Sequence, residues 1–217
     1  MSKRAFCQQC NKALVACICK WVEKIDNQYF LHVLQDPSET NKAIGTARIL
    51  ELSLNRSHIS VGETFEAADF DLNNSFLVFP DEQAESVSHL SQQQRINEQT
   101  QFILLDGSWK KAYKLLMSNP FLQSLPKVSI NVTQKSAYKI RKSPREDGLS
   151  TVEAGYYLLA ELENNAEKFA PMLAVFKRMI DFQIQRMPDD IYQRHYVDKT
   201  QTVDKTQTVD KEDGSCH

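Results

Sequence analysis

Residues 100–105 read T-Q-F-I-L-L. This apolar run passes without a break into Asp106-Gly107-Ser108-Trp109 and then into the basic segment Lys110 to Met117. A short run with apolar side chains at successive positions reads as a strand covered on both faces, and the segment after it as a helix. Four further short runs read as strands: Tyr29 to Leu34, Ser57 to Val61, Ser75 to Phe79 (stopped by Pro80), and Lys127 to Val132. Between and after them, Ala43, Ala47, Leu50 and Leu54 recur at helical spacing over Ala43 to Leu54, and Thr151 to Leu162 and Glu167 to Met187 also read as helices. Thr151 is expected as an N-cap after Ser150, and Ser150 to Glu153 also fits the S-x-x-E capping box. Strands alternating with helices predict an α/β layer structure with a mainly parallel sheet.

In such sheets ligands bind on the loops at the carboxyl ends of the strands. The rule selects Gln35-Asp36-Pro37-Ser38-Glu39, Phe79-Pro80-Asp81, Asp106-Gly107-Ser108-Trp109 and the loop after Ile130. Neither G-x-G-x-x-G nor a P-loop nor H-E-x-x-H occurs, so dinucleotide, Walker-type ATP and metalloprotease sites are unsupported. His32 lies inside an apolar run and reads as a satisfied core histidine rather than a catalyst.

Four of the five cysteines fall at Cys7, Cys10, Cys17 and Cys19, in the pattern C-x2-C-x6-C-x-C; the fifth is Cys216. A secreted disulfide scaffold would spread its cysteines through the fold. Four thiols so close together read as one tetrahedral set for structural Zn2+, with no position left open for catalysis; two local disulfides or redox thiols are the alternatives. Cys216, in a polar tail, reads as a bystander.

The formal net charge of the 217 residues is -2, which taken alone argues against a nucleic-acid binder. The average conceals a strong local bias. From Asp106 to Ser150 there are nine Lys or Arg residues against three acids, a net +6 that would attract a phosphate backbone. From Asp198 onward three Lys face five acids, within a six-residue repeat, V-D-K-T-Q-T, that cannot bury enough apolar surface to fold. No apolar run approaches the roughly 20 residues of a membrane helix. The opening Met-Ser-Lys-Arg-Ala-Phe-Cys does not read as a signal peptide. The expected organisation is a zinc-knuckle segment at residues 1–24, an α/β domain at 25–195 (catalytic by the resemblance given next) and a disordered tail at 196–217.

Three elements in this order resemble one family: the cysteine cluster, D-G-S-W at Asp106 to Trp109 with Ala112 after it, and R-K-S-P-R-E-D-G-L-S-T-V-E-A from Arg141 to Ala154. Together with D-P-S-E at Asp36 to Glu39 and Gly45-Thr46-Ala47-Arg48, they are similar to the DTW-domain tRNA-uridine aminocarboxypropyltransferases over roughly Cys7 to Met187. The chain differs from the usual family pattern in having Ser108 for Thr, Asp36 for His and Gly45 for Asn.

The resemblance implies a SPOUT-like fold with a knotted carboxyl half. It implies S-adenosylmethionine as co-substrate and transfer of its 3-amino-3-carboxypropyl group to ring nitrogen 3 of a tRNA uridine in the variable loop, releasing 5′-methylthioadenosine. A SPOUT-type RNA methyltransferase and a non-enzymatic zinc-ribbon RNA-binding module are the competing readings. The expected partner is tRNA, with no membrane and no DNA, in a cytoplasmic monomer or homodimer.

On that basis Asp106, Ser108 and Trp109 are the catalytic candidates. Asp106 would accept the uridine imide proton or anchor the donor's ammonium, with a helix cap as the structural alternative. Trp109 would stack on a base or pack in the core. Cofactor-binding candidates are Pro80, Asp106, Gly107, Arg141, Arg145, Gly148, Leu149, Ser150, Thr151 and Glu153. Substrate-binding candidates are Glu39, Thr46, Arg48, Lys110, Lys111 and Lys142.

Overall fold

The computed structural model of the protein describes residues 5–130 and 148–187. Arg141, Lys142, Arg145 and the 196–217 tail with Cys216 lie outside the described residues. The strands are β1 (Phe30–Gln35), β2 (Ser57–Val61), β3 (Ser75–Val78), β4 (Glu85–Ser86), β5 (Gln101–Asp106) and β6 (Lys127–Ser129). The helices are α1 (Ala47–Ser53), α2 (Val87–Gln92), α3 (Trp109–Ser118), α4 (Pro120–Ser124), α5 (Thr151–Leu162) and α6 (Ala166–Gln185). The six strands form one sheet in the order β2-β1-β5-β3-β6-β4, and every neighbouring pair is parallel.

The pleat divides each central strand between two cores. Phe102 and Leu104 of β5 join Leu31, Val33 and Phe76 on the face covered by α1, α2, α5 and α6. Ile103 points the other way, into a smaller core with Leu34, Leu77, Leu116, Leu122 and Leu125, beneath α3 and α4. This is why T-Q-F-I-L-L shows no polar alternation: both of its faces are buried. Gly155 lets α5 lie close to the sheet, since a Cβ there would stand 2.6 Å from Leu50 Cδ2 and 3.3 Å from Leu31 Cδ2.

His32 is a core residue. Its Nε2 lies 2.8 Å from Ser60 Oγ, and its ring stacks on Phe70 at 4.9 Å. Burial, with the neighbouring His58, holds its pKa down to about 4, so it is neutral at physiological pH.

The boundaries differ from expectation at several places. The helix expected from Ala43 starts at Ala47, because the carbonyls of Ala43 and Gly45 are taken by Lys12 Nζ at 2.8 and 3.1 Å. The cap of α5 is Ser150, not Thr151. Ser150 Oγ accepts from Glu153 N while the Glu153 carboxylate accepts from Ser150 N at 2.9 Å, completing the capping box. The strand from Lys127 ends at Ser129 rather than Val132, with residues 131 and 132 outside the described set. The two-residue β4, α2 with only Val87 and Leu90 buried, and α4 with Pro120 in its first turn are too short to show a periodicity.

Candidate active site and metal centre

Asp106 closes β5 at the carboxyl edge of the sheet and is 6% exposed. Gln35, its register partner on β1, donates from Nε2 to Asp106 Oδ2 at 2.7 Å. The hydroxyl of Thr151, in the first turn of α5, donates to Oδ1. The carboxylate is thus fixed from both sides by neutral donors on two elements. Helix α3 starts beyond it, with Ser108 in the N-cap position, so Asp106 itself is not the cap residue.

Asp106, Gly107 and Ser150 line a pocket with Glu39, Lys42, Ile44, Gly45 and Thr46. Glu39 ends the short 3-10 turn Pro37–Glu39, whose N-cap Asp36 accepts from Ser38 N at 2.9 Å. Burial would raise the Glu39 carboxyl, but hydrogen bonds from Lys111 and Lys42, both at 2.8 Å, outweigh it and hold the group below its usual range. Hydrogen bonds from Ser38 lower Asp36 in the same way, and Lys111 adds to this from 3.9 Å. Lys111 is raised in turn by its hydrogen bond to Glu39. The pocket therefore carries two buried carboxylates, Glu39 and Asp106, beside the ammonium of Lys42. That donor set suits a ligand bearing both a positive centre and a carboxylate.

The other candidates take different places. Thr46 is buried, and its Oγ1 accepts from Val152 N at 3.4 Å, tying the pocket wall to α5. Gly148 and Leu149 are half-buried ahead of Ser150. Glu153 is engaged in the capping box. Arg48 lies outside the Asp106 pocket. Its Nε donates to Gln9 O at 2.7 Å, and it pairs with Glu51. Pro80 and Ser108 are exposed, and Trp109 is half-buried, edge-on to Phe79 at 6.2 Å. Lys110 is exposed on α3. Gln35, Lys42 and Ile44 were not among the candidates. Gln35 carries a readable signal, a lone amide closing an apolar strand, but its partner depends on strand order.

The four N-terminal cysteines converge. Their sulfur atoms all lie within 4.8 Å of one another, with Cys7 to Cys19 at 3.6 Å and Cys10 to Cys17 at 3.9 Å. A tetrahedral ion with sulfur bonds of about 2.3 Å has sulfur–sulfur edges of about 3.8 Å, so the cluster could hold a metal ion. The geometry comes from a tight turn in which Cys7 O accepts from Asn11 N at 2.9 Å and Asn11 takes a φ of 56°. Hydrogen bonds from the Cys10 and Gln9 backbone draw the Cys7 thiol down to about 6, while burial pushes Cys19 up. Binding of a cation would displace the protons that remain. The turn is not a loose appendage, since Cys10 and Ile18 are buried in the main core.

No helix among the described residues is long and apolar enough to cross a membrane. No solved structure matches the chain. It is 24% identical over 194 residues to tRNA-uridine aminocarboxypropyltransferase 2 of Macaca fascicularis, covering 84% of this chain and 65% of that protein. It is 29% identical over 183 residues to the protein of the same name in Drosophila melanogaster, covering 76% of this chain and 70% of the relative. The chain thus spans about two thirds of the length of these relatives. The family model described as the DTW domain matches residues 4–184, which takes in the cysteine turn, the whole described sheet and the Asp106 pocket. The chain belongs to the DTW-domain family.

Proposed function

We propose that the chain transfers the 3-amino-3-carboxypropyl group of S-adenosylmethionine to N3 of a tRNA uridine. The observation that carries this reading is the Asp106 pocket, with its two buried carboxylates and neighbouring Lys42, in a chain whose relatives are named tRNA-uridine aminocarboxypropyltransferases. S-adenosylmethionine supplies a methylene already activated by the sulfonium, so the protein's task is aim and proton handling. Asp106, held by Gln35 and Thr151, holds the ammonium of the transferred arm or takes the N3 proton of uridine. Lys42 faces the arm's carboxylate, and Gly107 and Gly45 keep side chains out of the pocket wall.

The route for RNA follows α3. Trp109, Tyr113 and Met117 recur every fourth residue along it, with Tyr113 57% and Met117 49% exposed, and Lys110 and Lys114 are exposed on the same helix. Aromatic faces beside cations are what single-stranded nucleic acid stacks on. Zinc in the cysteine cluster, a knotted SPOUT-like carboxyl half and a cytoplasmic setting belong to the same reading. The first is supported by the sulfur spacing, the second by the all-parallel sheet and the return of α5 to Asp106. The division at residues 24/25 and 195/196 is part of the proposal.

The test is incubation with tRNA and S-adenosylmethionine labelled in the carboxyl carbon, followed by nucleoside mass spectrometry. Label and an added aminocarboxypropyl mass on uridine are expected. An added methyl mass would make the chain a methyltransferase, and tRNA binding with no transferred label would make it a binding module.

A further inference from the structure

The cysteine turn and the pocket are joined by two cations reaching in opposite directions. Lys12 follows the left-handed Asn11, and its own carbonyl accepts from Cys7 N at 2.8 Å, so its backbone is fixed by the same turn that gathers the sulfur atoms. Its side chain leaves the turn, is 4% exposed, and donates to Ala43 O at 2.8 Å and Gly45 O at 3.1 Å. From the other side Arg48 donates to Gln9 O, between Cys7 and Cys10. The segment so held has no regular structure from Thr40 to Thr46 and is exposed at Asn41, Lys42 and Ala43. Yet Lys42, Ile44, Gly45 and Thr46 form one wall of the pocket that contains Asp106. A wall without a ladder of its own takes its shape from what it is tied to, here Lys12 on one side and Val152 N on the other.

We infer that Lys12 is a positioning residue which, from the metal-binding turn, holds residues 43–46 in the shape the donor pocket requires, so that loading of the cysteine site sets affinity for the donor. The inference rests on the function proposed above for the pocket, but its mechanical half can be read independently. Lys12 is not among the residues that line the Asp106 pocket. Its effect passes through the Ala43 and Gly45 carbonyls.

The experiment compares the metal-loaded full chain with Lys12→Met and Lys12→Arg. Backbone hydrogen exchange and calorimetric binding of S-adenosylmethionine are the readouts. In Lys12→Met, amides of residues 42–46 are expected to exchange about tenfold faster while those of β5 keep their protection, because the Ala43 and Gly45 carbonyls lose the donor that ties them to the turn. The dissociation constant for S-adenosylmethionine should rise about tenfold, with Lys12→Arg falling between. Removing the metal from the parent chain should speed exchange in the same 42–46 segment, and it serves as the second handle if Lys12→Met does not fold. Parental exchange and parental affinity in Lys12→Met would overturn the inference. A parent chain that fails to bind S-adenosylmethionine would instead overturn the function proposed for the pocket, and the exchange of residues 42–46 would still decide whether Lys12 holds them.

Discussion

Gln35 and Asp106 are register partners on neighbouring parallel strands, and the amide of one donates to the carboxylate of the other at 2.7 Å. Both are buried at the edge of the sheet where β1 and β5 end. Gln35→Leu removes one donor from a buried carboxylate, which costs about 2 kcal/mol in folding stability. Label transfer to tRNA should fall by tenfold or more in the same variant. Asp106→Asn should abolish transfer with a parental melting temperature or one close to it. Near-parental turnover in Asp106→Asn would remove Asp106 from the chemistry.

The cysteine cluster should bind one metal ion per chain, measurable by elemental analysis of the purified protein. Cys10 is 2% exposed within the core, so Cys10→Ser should lose the ion and lower the melting temperature together. A metal-free chain that melts with the parent would refute a structural role for the site.

His32 gives the protein an acid-sensitive core. Its folded pKa of about 4 lies below the ordinary value of 6.5, so the unfolded chain takes up a proton that the folded one refuses. Its contribution is intact above pH 6.5 and is lost as pH falls through the window from 6.5 to 4, by about 3 kcal/mol in all. Urea midpoints measured across that window should decline for the parent and decline less for His32→Phe. Parallel declines would assign the acid sensitivity elsewhere. Asp36 and Glu39, both lowered, add their own losses below the ordinary carboxylate range.

Gly155→Ala tests how tightly α5 seats on the sheet. The added Cβ meets Leu50 Cδ2 at 2.6 Å in a core where Leu50 is fully buried, and the crowding should outweigh the better helix propensity of Ala. A net loss of about 1–2 kcal/mol is expected by thermal unfolding. A melting temperature at or above the parent's would show that Leu50 yields freely.

Tyr113→Ala should weaken tRNA binding by roughly tenfold, the value of one base stack, and leave binding of S-adenosylmethionine unchanged. A filter-binding assay with unmodified tRNA reads the first, and calorimetry the second. Unchanged tRNA affinity would take α3 off the RNA path.

The parts of the site legible in the sequence are those carried by local pattern. The apolar run ending at Asp106, the four clustered cysteines and the Ser150 to Glu153 cap each announce themselves within a short stretch of sequence. Gln35, Lys12 and the hydroxyl of Thr151 do not, because their meaning lies in partners far along the chain: Asp106 is 71 residues from Gln35 and 45 from Thr151, and Ala43 is 31 from Lys12. Parallel pairing sets the first of those separations and packing of a helix or loop onto the sheet the other two, and no turn chemistry encodes them. Helix α1 shows the same limit. The apolar spacing from Ala43 extends past the true start, where Lys12 takes the Ala43 and Gly45 carbonyls and Gly45 N closes a turn onto Lys42 O.

The boxing of Asp106 also fixes when the site comes into being. Its two neutral donors belong to strands and helices made early and late in synthesis, so a nascent chain emerging from the ribosome holds Gln35, then Asp106, and acquires Thr151 last. Contacts of such long sequence separation form slowly and depend on the completed sheet. A chain halted before residue 148 would bring the carboxylate to the edge of the sheet without the Thr151 hydroxyl. The surroundings of Asp106 are thereby finished only when the start of α5 has been made.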